Sequence, residues 1–251
     1  MERIGFAVLL VMLSTLGCSR PQRPLVTHEA TRALPAAERT TIEIELAGGL
    51  LDLAVGAPDS IGAIFQYDHE DMKPDIVVVE EEDGVTARVV AESPGWKVGI
   101  GPTMNLWRVS LPPDRPLDVV IVLGGGQLKF PALPLTLSSI DARVRFGNGE
   151  ATFDFSETRW TGTLETSLEV GNGPGTRIIV PKGVGVRLQA IHSVGTIDVP
   201  DLEKQNDETW TNAAYGDADR KLELFARVSA GDLTVVTASD DAGDETTTTD
   251  D

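Results

Sequence analysis

Cysteine occurs once in the 251 residues, at Cys18, so no disulfide can form within the chain. Aromatic side chains make up only 5% of a sequence that is 41% apolar, which implies an aliphatic, thin core of the kind short stacked strands make. Basic residues are outnumbered by acids, 21 against 39, and the net charge of −18 argues against direct binding of nucleic acid or of anionic head groups. The three histidines, His28, His69 and His192, lack the spacing of metal ligands. No Ser/His/Asp arrangement, phosphate loop or Cys/His pattern is present. Beyond the first 17 residues no helical periodicity is sustained, and 25 glycines and 15 prolines punctuate the chain. What remains is an all-β reading.

The chain instead holds a repeated unit: an alternating strand, a glycine turn, a second alternating strand. Ile140, Ala142, Val144 and Phe146 alternate with Asp141, Arg143 and Arg145, and Gly147-Asn148-Gly149 follows. Ala151, Phe153 and Phe155 then alternate with Glu150, Thr152 and Asp154. Side chains of a strand point to opposite faces with period two, so each arm buries one face and wets the other. The unit returns at Gly126, Gly195 and Gly231, with an outlying copy at Gly49. Near Gly175 it fits only with a one-residue slip, because Arg177 falls in an apolar slot. Units of this size cannot bury their own apolar face and must stack on neighbours. The pattern therefore predicts a solenoid-like stacked array of short strands with glycine turns; the alternative is a β-sandwich of hairpins. Stacking in chain order would make 142–146, 164–170 and 184–190 successive rungs, with Arg143 and Arg145, then Glu165 and Glu169, then Arg187 and Gln189 outward. Val144, Phe146, Phe153, Leu168, Leu188 and Leu233 are expected inside.

Residues 1–17 read as a signal peptide. The apolar run Ile4 to Leu13 is too short for a membrane span, which needs roughly 20 residues. Leu16-Gly17-Cys18 resembles a bacterial lipoprotein signal, which implies that Cys18 is lipidated and becomes the new N-terminus; Ser19 after it implies outer-membrane sorting in a diderm cell. Residues 18–41 are expected to be the lipid anchor and a flexible tether, 42–236 the β-array domain, and 237–251, with six acids and no base, a disordered acidic tail. Within the array, Ile42-Glu43-Ile44-Glu45-Leu46 is a strand entering Gly48-Gly49, and 76–79 and 85–90 form a hairpin with an acidic tip.

The chain resembles the toastrack superfamily of bacterial envelope proteins, which includes the DUF4097 adhesin-like proteins and the C-terminal domain of the LiaF-type stress regulators. The resemblance rests on Trp107-Arg108-Val109-Ser110-Leu111-Pro112-Pro113, on Pro116-Leu117-Asp118-Val119 with its Gly124-Gly125-Gly126 turn, and on the turns at Gly147 and Gly171. Val180-Pro181-Lys182-Gly183, Trp210-Thr211-Asn212-Ala213-Ala214-Tyr215 and Gly231-Asp232-Leu233 complete it. It implies a β array outside the cytoplasmic membrane with a sensing, adhesive or scaffolding role and no catalytic residues.

The carboxylates Asp52, Asp141, Asp154, Asp198 and Asp232 all fall in outward slots, where solvated acids are expected. Asp68-His69-Glu70-Asp71 is the best local cluster for a divalent ion and reads equally well as a charged loop. No metal, cofactor or catalytic residue is expected. Trp210 and Tyr215 are the candidate partner surface, with capping of an open end of the array as their structural role. The expectation is a lipid-anchored, non-enzymatic envelope protein, bound to a membrane through Cys18 and to an envelope protein or cell-wall ligand. The alternative is a surface polysaccharide hydrolase or lyase on a β-solenoid.

Overall fold

The computed structural model describes residues 24–68, 73–91, 105–146 and 151–238, and these contain strands and turns but no α-helix. Cys18, His69, Glu70, Asp71, Trp96, the corner at 147–150, the side chains of Arg145 and Phe146 and the tail after Ala238 lie outside the described residues.

Each unit crosses the molecule once in each of two facing sheets, turning at a glycine corner between them. β1 (Val26–Ala33) precedes the first unit, β2 (Thr40–Leu46) and β3 (Gly49–Val55). β4 (Ser60–Tyr67) follows, then the expected hairpin of β5 (Pro74–Glu81) and β6 (Gly84–Ala91), then β7 (Asn105–Leu111). Two further units are β8 (Pro116–Leu123) with β9 (Gly126–Phe130), and β10 (Thr136–Phe146) with β11 (Ala151–Asp154). β12 (Thr163–Val180) runs through its corner unbroken. β13 (Gly185–Val194) and β14 (Ile197–Asp198) make the next unit, β15 (Glu203–Lys204) and β16 (Thr209–Thr211) lie in the insert, and β17 (Lys221–Thr237) is the last.

The first sheet runs β5-β6-β2-β8-β10-β12-β17-β13-β16-β15, and the second β1-β4-β7-β3-β9-β11-β12-β17-β14. Arms of neighbouring units pair in parallel; both ends of the first sheet and the β1 end of the second are antiparallel, while β14 closes the second sheet in parallel. β2 and β3 do not pair with each other; each pairs with the matching arm of the next unit, so the stacked array holds rather than a sandwich of hairpins.

The core lies between the sheets. Val144, Phe153, Leu168, Leu188 and Leu233 are all buried, as the alternation requires. Two aromatic clusters lie in the core: Phe130, Phe153 and Phe155 with ring centroids 5.5–6.5 Å apart, and Phe65 edge-on to Trp107 at 5.2 Å. The slip near Gly175 is a register shift of β12 against β17 between Asn172 and Gly175, beyond which Ile178 is buried and Arg177 exposed. A bulge of this kind restores alternation after an extra residue.

Two expectations are corrected. Part of the expected tether of 18–41 is a strand: Val26–Ala33 forms β1, paired antiparallel with β4 along its full length, and His28 stacks on Phe65 at 6.0 Å. Local polarity hid it, because only Ala30 in this strand is buried and an edge strand shows little alternation. The rung order also differs from chain order. β17 lies between β12 and β13, so 164–170 and 184–190 are not neighbours, and β2–β3 lies between β6–β7 and β8–β9.

Candidate functional site

Two outer faces and two ends are the surfaces the array presents. On the first sheet the outward residues align in rows across the strands, as Val120, Asp141, Ser167, Phe225 and Gln189, and as Val122, Arg143, Glu169, Arg227 and Ile191. On the second sheet Arg108, Asp52, Lys129, Thr152, Arg177 and Thr234 form a comparable row. Parallel strands about 4.8 Å apart hold these side chains at a constant spacing. Opposite charges meet along and between rows: Arg88 binds Glu43 at 2.7 Å, Arg39 binds Asp118 at 2.7 Å and Arg108 lies 3.7 Å from Asp52.

The far end of the first sheet is closed by the insert between β14 and β17. Trp210 on β16 sits opposite Leu188 and is 8% exposed, with the Lys204 ammonium 5.8 Å from its ring centre. The Asn212 amide fixes the insert to the last rung, donating to the Val184 carbonyl at 2.8 Å while its oxygen accepts from the Val186 N–H at 2.9 Å. Tyr215 is half-buried beside it; its hydroxyl donates to the Glu223 carboxylate, and Lys221 lies 5.1 Å from its ring centre. The hydrogen bond to Glu223, then burial, raises the Tyr215 pKa above the ordinary phenol range. Glu223 also faces Arg187 at 3.7 Å. Tyr215, Glu223 and Arg187 thus form one polar cluster across the insert, β17 and β13. Nothing local in the sequence signals that cluster, because the adjacency of β17 and β13 is not sequential.

The outward carboxylates do not converge. Asp141 binds Arg143 at 2.9 Å and Asp154 accepts from the Ser156 N–H at 2.9 Å. Asp232 accepts from the Thr196 N–H at 2.9 Å and hydroxyl at 2.7 Å, and these two bonds hold its carboxyl below the usual range. Asp154, Asp198 and Asp232 stand on three different strands. Among the described residues no three His, Cys, Asp or Glu side chains are grouped as a metal site would need. The two best-formed hollows have volumes of about 350 and 230 Å³; the first is lined by Pro174, Gly175, Thr176, Asp232 and Thr234, the second by residues of β1, β4 and β7 with Gly56 and Ala57.

A family described as the N-terminal domain of toast_rack, DUF2154, matches residues 22–178, more than half of the chain. Among solved structures, a candidate cell adhesion protein from Clostridium sporogenes superposes with a TM-score of 0.69 at 16% identity, covering 85% of this chain and 100% of its own. A candidate adhesin from Bacteroides fragilis aligns over 86% of this chain and 98% of its own at 8% identity, with a TM-score of 0.27. No curated protein matches the chain.

Proposed function

The chain belongs to the toast-rack family, and from that premise we propose that it is a non-enzymatic binding protein of the bacterial cell envelope. In this reading a lipid on Cys18 holds it to a membrane, and the array engages an envelope protein or a cell-wall ligand in an adhesive, sensing or scaffolding role. The observation that carries the reading is the pair of long outer faces, on which side chains of successive rungs stand in register at a spacing set by the backbone. Such faces suit an extended or repetitive partner. Trp210, 8% exposed, caps the far end of the first-sheet face, and the half-buried Tyr215 beside it borders the surface that partner would meet. The description of the Clostridium protein as a candidate adhesion protein supports the same class. With Ser19 after the cysteine, the outer membrane is the destination in a diderm cell.

Two measurements test this. Cys18→Ala should release the protein from the membrane fraction or block processing after Gly17; a variant that matures normally and stays with membranes sinks the anchor. Photo-crosslinkers at the outward positions Thr152 and Ser167, in intact cells, should capture a defined envelope component. Polysaccharide cleavage lost on changing one outward carboxylate, with folding intact, would establish a hydrolase or lyase instead.

A further inference from the structure

The start of β1 lies eight residues after Cys18, and this restricts how an anchored array can stand. Fully extended, eight residues reach about 28 Å. The second sheet has nine strands, so its far end at β14 is about 38 Å from β1 at about 4.8 Å per step. The short lead therefore ties one particular end of the stack, and one side of that end, to the lipid. In register Val26 lies beside Tyr67, and Tyr67 beside Asn105, whose carbonyl adjoins Gly49; Val26 is on the corner side. The acidic tip of the β5–β6 hairpin turns beside Arg39, on the opposite side, about seven strand residues or roughly 24 Å away.

The same end is the apolar one. Of the eight large hydrophobic residues exposed on the described surface, Leu25, Val26, Ile64, Val77 and Val79 belong to β1, its approach, β4 and β5, and they are 40–45% exposed. Leu25 and Val26 are adjacent where the lead enters β1, whereas Val79 lies beside the acidic tip. Charge points the same way. Between Cys18 and Val26 the sequence has Arg20 and Arg23 and no acid. Basic residues beside a lipid anchor are drawn to an anionic bilayer.

We infer that the array stands on the bilayer at its β1 end, with Leu25 and Val26 at the membrane surface and the Trp210 end pointing away. The inference rests on the proposed lipidation of Cys18. It leaves both outer faces and the far end open to a partner.

The test uses full-length lipidated protein, extracted from membranes and reconstituted in vesicles of phosphatidylethanolamine and phosphatidylglycerol. With Cys18 blocked by lipid, the variants Thr27→Cys, Lys129→Cys and Glu203→Cys each accept one fluorophore at an exposed position. Quenching by lipids carrying a nitroxide near the head group should be several-fold stronger at position 27 than at 129 or 203. Equal quenching at 27 and 129 would mean the array lies on its second sheet, and strongest quenching at 203 would mean the opposite end faces the bilayer. Either result in protein whose intact mass includes the lipid overturns the inference alone. Protein recovered without the lipid mass overturns the anchor, and the inference with it.

Discussion

Gly126 has no Cβ, and the space a Cβ would take is already filled. Its φ of 123° lies where L side chains are rarely found, and a Cβ there would fall 1.8 Å from the Gly49 carbonyl oxygen of the next rung. Gly49, Gly195 and Gly231 repeat the conformation, so the corner is a column in which each glycine admits its neighbour's backbone. Gly162 also has positive φ, but nothing lies within 4 Å of its missing Cβ. Gly162→Ala should therefore lose only about 1–2 kcal/mol, the intrinsic cost of the left-handed region. Gly126→Ala adds a backbone collision and should lose markedly more, read by chemical denaturation; equal losses would show that the corners do not stack this closely. Inside the rungs the contrast is between faces. Phe153 is fully buried against Phe130 and Phe155, so Phe153→Ala should lose about 3–5 kcal/mol, while Thr152→Ala, its half-buried neighbour on the outer face, should lose under about 1. Similar losses at both would mean a different register.

Rungs recognise one another mainly through backbone pairing, and their outward charges test which rungs are adjacent. Glu169 stands between Arg143 on β10 and Arg227 on β17, whereas Glu165 stands between Ser139 and Glu223. Chain order alone would give both glutamates the same effect on reversal. The observed order gives them opposite signs: Glu169→Lys places three cations in a row and should destabilise, while Glu165→Lys relieves a like-charge pair and should stabilise, each by about 0.2–1 kcal/mol. Both effects should shrink in high salt, since exposed charges are screened beyond about 10 Å at 0.1 M. Destabilisation by both would put another strand beside β12. The arms themselves were legible because period two is a local signal: Ile42, Ile44 and Leu46 are buried, and Glu43 and Glu45 are not. The corner glycines were legible for the same reason. β1 was not, since an edge strand paired on one side and half solvated carries no such alternation. The Tyr215–Glu223–Arg187 cluster was illegible too, because its members meet only through the path of the insert over 199–220.

At the scale of the whole molecule, the last strand in the sequence is among the most central in the structure. β17 pairs with β12 over nearly all of its length and with β13 and β14 on its other side, and Leu222, Leu224, Ala226, Val228, Leu233 and Val235 are all buried. Until Lys221–Thr237 is in place, β12 and β13 have no ladder between them and the last rung has no neighbour. The array should therefore not grow rung by rung from the N-terminus as an ideal solenoid can, where each repeat contacts only the one before it. Its contacts are of long sequence separation, which slows folding. A chain ending at Ala238 keeps every described pairing and should unfold at the same denaturant midpoint as the full chain. A chain ending at Arg220 removes a strand from the interior of both sheets and exposes the apolar faces of β12 and β13. It should lose cooperative unfolding altogether rather than shift its midpoint. Supplying Lys221–Thr237 as a separate peptide should restore protection to amides of both β12 and β13 in hydrogen exchange. Protection restored in β12 alone would mean that β13 does not depend on β17, and that the array can close without its final strand.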